Sequence, residues 1–481
     1  MHQKLVMSIH PRIIMFFILI VMSGFANSQE LLNLEQCIDI AMNKSISVKQ
    51  AVLSERESEI NEKLAKRQLL PSLDGNSNVS YNIGRRVSPL TNTYISESFL
   101  SQSYSLSAGM MVYNGGMLKN NIARARYDKK VAEENTNRIE RDIALLVTNY
   151  YLLILYAQEN LNNAESQYNS TKDQLEKTKK LVDAGSKPAS ATLNLEAQFL
   201  SDEQKKIMRV NDLEKAYLDM KNVLQLNENV DFKIQDPDIE AMLIRKDFQY
   251  SLSELILKSL QHQPELSAAE YKIKSAEISK KIAYSTLLPS LSFFGGVSSD
   301  FVNKAKEVVG YNTVYNYTNF LINNQEINVG VPYDVPELQN QKYFDQLNNN
   351  LGLGFAVQLK IPIYDNYSSK SNIQKAKLGI EAARLQKDQT IQDIKSKVQI
   401  ALADYKAAKK QYQASEKAFA AQKNAFESTK TQFDIGLVSI YDFMNAKTLF
   451  DQAQNTLLLS KYDFVFKTKI LDFYLGENLT F

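Results

Sequence analysis

The clearest pattern in the chain is an alternation of apolar and polar positions in four short segments. From Leu73 to Ile83 the apolar side chains fall on odd positions, while the even positions are Asp, Asn or Ser. An alternation of period two is typical of a β-strand with one apolar and one polar face. We predict such strands at about 72–84, 102–113, 290–301 and 351–364, and Phe294 breaks the alternation in the third.

Two long segments instead repeat apolar side chains every seventh residue. One row of large residues runs from Ile391 to Phe433, and a corresponding row runs from Val147 to Val182. A strict seven-residue period with a second seam of small residues indicates coiled-coil packing between long helices. We predict long helices at 115–183 and 366–433, each about 100 Å long at about 1.5 Å per residue, and return helices at 188–226 and 439–475.

The order of these elements occurs twice. The motif Leu-Leu-Pro-Ser-Leu around Pro71 recurs around Pro289. A second set of matching positions, at a larger separation in sequence, pairs Gly185 with Gly436. We therefore predict two tandem repeats at 29–230 and 252–481, joined by a linker at 231–251. The second repeat carries an insertion within residues 302–350, rich in Asn and Tyr, which we expect to be an external loop.

The first 28 residues have the three parts of a secretory signal peptide. Basic residues precede an apolar run from Ile13 to Met22, and small residues end the segment. The alternative is a membrane anchor, but the apolar run is shorter than the roughly 20 residues that a spanning helix needs. Because Cys37 lies beyond the expected cleavage point after Ser28, we predict that it is a small apolar helix residue, not a lipid attachment site.

The composition excludes several functional classes. The chain has 56 Lys and Arg against 54 Asp and Glu, so its near-neutral charge argues against a nucleic-acid binder. One Cys and three His are too few to supply the ligands of a Cys/His zinc site. In the mature chain only His262 would remain to serve a catalytic Ser-His-Asp or Cys-His system. We expect a protein with no enzymatic activity, cofactor or metal, and a structural role for His262.

The same features bear on how such a chain could cross a membrane. After the signal segment no apolar stretch is long enough for a spanning helix, so an exported membrane protein of this sequence would cross as strands. Four strands cannot close a barrel, for which about eight are the minimum. Several chains would have to share one barrel.

With these features in this order, the sequence resembles the TolC-type outer-membrane efflux proteins of Gram-negative bacteria. The motifs that carry the resemblance are the junctions at Pro71 and Pro289, the junction at Pro362, and the turn segment from Phe433 to Ala446. The resemblance implies an α+β homotrimer whose 12-stranded transmembrane β-barrel continues as a coiled-coil α-helical barrel in the periplasm. It also implies a passive exit duct of a tripartite efflux or type I secretion system, working with a periplasmic adaptor, an inner-membrane RND, ABC or MFS pump and outer-membrane lipid, without nucleic acid.

The resemblance further implies a periplasmic gate at the helix turns, with Gly185, Gly436 and Ser439 at the tips where the adaptor docks. Carried over position by position, the gate carboxylate is Asp442. The other gate positions are uncharged here: Asn445 for the second acid, Val438 for the latch Arg, Phe433 for the latch Tyr, and Ala191, beside Ser190, for the facing Asp.

We therefore predict that a ring of Asp442 from three chains forms a cation-attracting constriction, with the closed state held by packing. An equally weighted alternative is that Asp442 is a solvated acid in the first turn of a helix, where Asp is favoured. For the whole chain, the alternative function is a periplasmic coiled-coil adaptor without a pore. That class would carry lipoyl-like and barrel domains rich in short polar strands, which this sequence lacks.

Overall fold

A computed structural model describes residues 30–87, 94–227, 229–237, 239–243, 250–322, 325–477 and 479. The predicted signal peptide lies outside the described residues. The described residues divide into two units: those up to Glu57, within Lys130–Tyr271 and from Arg384 onward form the first, and those within Ser58–Lys129 and Lys272–Ala383 form the second.

The described helices and strands follow the duplicated order that the sequence predicts. The helices are α1 Leu34–Lys44, α2 Ile46–Arg67, α3 Met117–Asp183, α4 Ala189–Val223, α5 Ile239–Leu243, α6 Leu252–His262, α7 Pro264–Ser285, α8 Tyr343–Asn349, α9 Ser368–Asp434 and α10 Ile440–Leu475. The strands are β1 Glu30–Leu32, β2 Ser72–Val87, β3 Tyr94–Asn114, β4 Phe232–Ile234, β5 Ser290–Val302, β6 Lys306–Ile322, β7 Gln325–Asn340 and β8 Gly352–Lys360.

The four alternating segments form one antiparallel sheet in the second unit, in the order β2-β3-β5-β8. Leu106 lies opposite Val297, which in turn lies opposite Leu353. Directly opposite residues share a face of a sheet, so the pairing brings the apolar rows of all four strands together. That apolar face consists of Leu73, Val79, Tyr81, Ile83, Tyr104, Leu106, Ala108, Met110, Leu291, Phe293, Val297, Leu353, Phe355, Val357 and Leu359.

The opposite face of the sheet carries mostly small and polar residues, and Phe294 is one of its few large apolar side chains. Phe294 lies directly opposite Gly109, and a Cβ at Gly109 would come within 3.1 Å of the phenyl ring. The ring therefore occupies the space that the missing side chain leaves. A bulge in the register between Met111 and Tyr113 ends the alternation of β3 near its carboxyl end.

The inserted segment, which we expect to be an external loop, contains regular strands. Strands β6 and β7 pair along nearly their whole length as a long β-hairpin, and β7 has apolar residues at every second position from Ile327 to Val335. The short helix α8 then returns the chain to β8. Buried Gln346 of α8 fixes this return, since its side chain bonds both the N–H and the C=O of Val302.

The last strand ends at Lys360, earlier than the predicted 364. Pro362 follows, and proline lacks the N–H that continued pairing needs. At the start of the two long helices the backbone repeats a left-handed turn, at Gly115 and Gly116 in the first repeat and at Asn366 and Tyr367 in the second. Gly115 is required there because a Cβ would lie 2.7 Å from the Cβ of Leu288.

The first unit is built on α3, α4, α9 and α10. Its apolar core includes the heptad residues Val147 and Ile154 of α3, together with Val398 and Tyr405 of α9, all of them buried. Part of the segment that we predicted as a linker also enters the core. Strand β4 pairs in parallel with β1, and its alternation buries Phe232 and Ile234.

Among the described residues, no helix combines the length and the apolar character that are needed to cross a bilayer.

Candidate functional site at the helix turns

The two turns that reverse the long helices have the same backbone. Gly185 has φ 72° and Gly436 has φ 81°, both in the left-handed region that favours glycine. In each turn the glycine N–H bonds the carbonyl three residues back, and the next N–H bonds the carbonyl five residues back. This is the Schellman arrangement that ends a helix by satisfying its last carbonyls.

The helix after the second turn begins with a side-chain cap. The Ser439 hydroxyl accepts a hydrogen bond from the N–H of Asp442, and the Asp442 carboxylate accepts from the N–H and the hydroxyl of Ser439. The predicted gate carboxylate is exposed and also holds the start of α10. Its negative charge lies at the positive end of that helix, where it is stabilising.

The helix after the first turn has no such cap. Its N-cap residue is Pro188, with no side-chain hydrogen bond to the helix. The preceding residue, Lys187, reaches across to α9, where its ammonium lies 3.6 Å from the centre of the Phe433 ring. Burial lowers the pKa of Lys187, and the charge of Asp434 partly offsets that effect.

The predicted gate positions divide into buried and exposed residues. Phe433 and Ala191 are buried, Val438 is half-buried, and Ser190, Asn445 and Asp442 are exposed. Phe433 stacks on Phe443 with ring centres 4.7 Å apart. With Leu175 and Leu195 these two residues form a small core to which α3, α4, α9 and α10 each contribute one side chain.

A buried ion cluster lies beside this core. Lys447 of α10 is 4% exposed, Asp202 of α4 is 1% exposed and Asp451 of α10 is 7% exposed. The Lys447 ammonium is 2.7 Å from an Asp451 oxygen and 3.4 Å from an Asp202 oxygen. Asp202 also accepts hydrogen bonds from Thr171 of α3 at 2.7 Å and Gln198 at 2.8 Å, and Lys205 lies 3.1 Å from it.

The two carboxylates of this cluster are tuned in opposite directions. Burial alone would raise the pKa of Asp202, but Lys447, Thr171 and Lys205 outweigh it and hold that pKa below its usual value. Burial raises the pKa of Asp451, and Lys447 opposes this rise only in part. Asp202 is therefore the firmly ionised partner of Lys447, and Asp451 is the first of the two to take up a proton.

The sequence analysis did not predict this cluster, because Asp202 and Lys447 lie 245 residues apart in the chain. A signal was present in the seven-residue spacing. Asp202 follows the buried Leu195 by seven residues, and Lys447 lies between Phe443 and Phe450, which are also seven apart. A charge in a row that otherwise packs predicts a buried ionic partner.

The remaining candidates have structural roles. His262 bonds the carbonyl of Lys258 through Nδ1, at 3.0 Å. Cys37 is a free and buried thiol, and burial raises its pKa to about 12. Within the described residues there is no group of three or more His, Cys, Asp or Glu that could hold a metal ion.

Comparisons with known proteins agree on one family. The profile of the family described as outer membrane efflux protein matches residues 37–224 and 255–477. A comparison with curated protein sequences gives no match. The two matched segments lie within the ranges 29–230 and 252–481 that we predict for the repeats.

Solved structures share the fold at low sequence identity. CusC, studied for the conformational changes that accompany folding and transmembrane channel formation, is 17% identical, with a TM-score of 0.73 over 93% of this chain and 92% of that chain. The CmeC outer membrane channel of Campylobacter jejuni is also 17% identical, with a TM-score of 0.72 over 92% and 85%. The open state of the MtrE outer membrane channel of Neisseria gonorrhoeae is 19% identical, with a TM-score of 0.70 over 93% and 90%.

Proposed function

Because the chain belongs to the outer membrane efflux protein family, we propose that it is the exit duct of a tripartite efflux or type I secretion system. Membership in the family makes it an outer-membrane efflux protein with its helical part in the periplasm. The duct passively conducts small molecules or polypeptides that a periplasmic adaptor and an inner-membrane pump deliver.

The observation that carries this proposal is the sheet β2-β3-β5-β8. Its apolar face is exposed in the single chain, with Val357 68% exposed, and its outer strands β2 and β8 each have only one partner within it. An apolar outer face and a polar inner face are typical of strands in a transmembrane barrel. Since four strands cannot close, three copies that pair β2 of one with β8 of the next would form a 12-stranded barrel.

Two neighbouring residues on opposite faces of β8 give a matched test. Val357 lies on the apolar face, and Gln358 lies on the polar face opposite Ser292. We expect Val357→Lys to lose the detergent-resistant trimer, because a lysine facing lipid costs about 2–4 kcal/mol at the bilayer midplane. We expect Gln358→Lys to assemble normally and to shift the conductance of the reconstituted pore toward anions.

Two results would count against the barrel. Equal assembly of both variants would mean that neither face of the sheet meets lipid. Recovery of the unchanged protein from washed cells without detergent would instead favour the periplasmic adaptor without a pore.

We propose that the constriction of the duct lies at the helix turns and is formed by a ring of three Asp442 carboxylates. Asp442→Asn removes the negative charge but keeps the helix cap, because an amide oxygen can still accept the hydrogen bonds that the cap requires. We expect this variant to lose cation preference and block by divalent cations in single-channel recordings. Asp434→Asn, which changes an exposed acid in the same turn, is the matched control. An unchanged cation preference in Asp442→Asn would rule out the ring.

The adaptor is proposed to dock at the second turn. Three large apolar side chains are exposed there, Ile435, Leu437 and Tyr441, around Gly436 and Ser439. A photo-cross-linking residue at Leu437 should capture the adaptor, whereas one at Leu459, an exposed residue farther along α10, should not. Equal capture from Leu437 and Leu459 would show that the adaptor does not dock specifically at the second turn. In the first turn, Ser190 is the suitable probe position because Ala191 is buried.

A further inference from the structure

A net contribution to stability does not explain the buried cluster of Asp202, Lys447 and Asp451. Removing charges from water costs about as much as their mutual attraction returns, and well-packed apolar residues often do as well or better. A buried charge with few possible partners is better suited to selecting one arrangement among several that pack equally well.

The apolar seam around the cluster does allow several arrangements. Phe419, Phe426 and Phe433 of α9 are spaced by seven residues, as are Phe443 and Phe450 of α10. Phe426 stacks on Phe450 with ring centres 5.0 Å apart and lies tilted against Phe443 at 5.9 Å. A slide of α10 by one heptad, about 10 Å along the axis, would bring phenyl rings opposite phenyl rings again.

The ionic partners of Lys447 do not repeat in this way. Asp202 is anchored in place by Thr171 from α3 and by Gln198 within its own helix. The positions seven residues before and after Asp202 are Leu195 and Arg209, and neither can accept a hydrogen bond from an ammonium group. Asp451 belongs to the same helix as Lys447 and moves with it, so Asp202 is the partner that a slide by one heptad would take away.

We propose that Lys447 is the positioning residue that fixes the axial register of α10 against α3 and α4, and so holds the constriction at the turns closed. This proposal rests on the proposed function in its second part, since it takes the helix turns to be the constriction. Its first part concerns only the helices of the first unit.

The other charged groups around Lys447 are compatible with this role. A small cavity of about 80 Å³ adjoins the ammonium, and it is also lined by Asp173 and Lys177 of α3 and by Lys430 of α9. On α4 the nearby cation is Lys205, which is directed to Asp202. Among these lysines, Lys447 is therefore the one that is buried between two carboxylates.

The decisive variant replaces the cluster with apolar residues of similar size: Asp202→Leu, Lys447→Met and Asp451→Leu together. It keeps the seam filled and leaves no buried charge unpaired, so we expect trimers in normal yield. The matched control removes the half-exposed ion pair of α4 with Arg209→Met and Asp212→Leu.

Register is measured directly by pulsed electron spin resonance between nitroxide labels at Ser190 and Asn445 of the same chain. Labelled chains are diluted with unlabelled ones so that each trimer carries one labelled chain, and buried Cys37 does not compete for the label. We expect a broadened or displaced distance distribution in the apolar triple variant, the native distribution in the control, and a several-fold rise of closed-state conductance in the triple variant alone.

The outcomes separate the two parts of the proposal. An unchanged distance distribution in the triple variant overturns the role of Lys447. A broadened distribution with unchanged conductance supports the positioning role and contradicts the proposed constriction at the turns.

If the triple variant does not assemble, Lys447→Gln with Asp451→Asn takes its place. That variant leaves Asp202 paired with Lys205 and keeps polar groups of nearly the same size in the cluster. An unchanged distance distribution in this double variant would likewise overturn the proposal.

Discussion

The two helix turns show what duplication has kept and what it has changed. Both end a 67-residue helix with a left-handed glycine and the same pair of backbone hydrogen bonds. The second turn then starts its return helix with the reciprocal bonds of Ser439 and Asp442, whereas the first starts with Pro188 and no side-chain cap. The backbone that reverses the chain is therefore shared, and the side chains that secure the next helix are not.

The difference extends along the return helices. The residues 251 positions before Lys447 and Asp451 are Glu196 and Leu200, and both are exposed. The exposed Ile435 and Leu437 of the second turn correspond to Ala184 and Ser186 of the first. Buried Lys447 and Asp451 and exposed Ile435 and Leu437 have no counterpart of the same kind at the equivalent positions of the first repeat, so the two tips should respond differently to equivalent substitutions.

The largest difference should come from Lys447→Met compared with Glu196→Met. Removing Lys447 leaves Asp202 and Asp451 as buried carboxylates with too little compensation, and breaking a buried pair in this way costs about 3–5 kcal/mol. Glu196 is exposed, so its replacement should change the free energy of unfolding by about 0.5 kcal/mol or less. Urea unfolding of the purified protein in detergent, followed by circular dichroism at helical wavelengths, measures both.

Similar midpoints for Lys447→Met and Glu196→Met would show that water reaches the cluster freely. The apolar triple variant serves as the internal control for volume, because it removes the same charge without leaving any carboxylate unpaired.

A smaller difference should separate Ser439→Ala from Pro188→Ala. Ser439→Ala removes a cap that satisfies backbone donors of α10, and such losses cost about 1 kcal/mol. Pro188 makes no side-chain hydrogen bond to α4, so Pro188→Ala should have the smaller effect. Hydrogen exchange of the first-turn amides reports each helix start separately, and we expect faster exchange in α10 after Ser439→Ala. Equal acceleration at both helix starts would mean that the cap does not set local stability.

Much of the fold could be predicted because its signals are periodic. The period of two located the strands of the sheet, and the period of seven located the packing rows of α3 and α9. The hairpin β6–β7 was not predicted within the expected external loop because the segment is rich in Asn and Tyr, although β7 has apolar residues at every second position from Ile327 to Val335. The pairing β1–β4 was missed because strands of three residues carry almost no periodic signal.

The candidate site was less predictable for a physical reason. The turns follow from Gly185 and Gly436, since glycine marks the left-handed end of a helix. The cation over Phe433 and the cluster at Lys447 depend on contacts between helices far apart in sequence. The seven-residue spacing places Asp202 and Lys447 near the packed rows, but it does not specify which residues they contact. Two of the positions carried over from the family, Phe433 and Ala191, are buried, and Phe433 belongs to the small core at the turns.

The smallest expected effect is a difference in pH dependence between Asp451 and its counterpart Leu200. The folded state raises the pKa of Asp451 above the unfolded value of about 3.9. The folded protein therefore binds more protons at this site, and the contribution of Asp451 to stability increases as the pH falls through its folded pKa toward about 3.9. The depressed pKa of Asp202 acts in the opposite sense, and its stabilisation is lost only as the pH falls below about 3.9. Asp451→Asn should thus be more stable than the unchanged chain at pH 7, and the advantage should shrink as the pH approaches 4. Leu200→Asn, at the equivalent position, should keep the native pH dependence. An advantage of Asp451→Asn that stays constant from pH 7 to pH 4 would show that Asp451 does not take up a proton in this range.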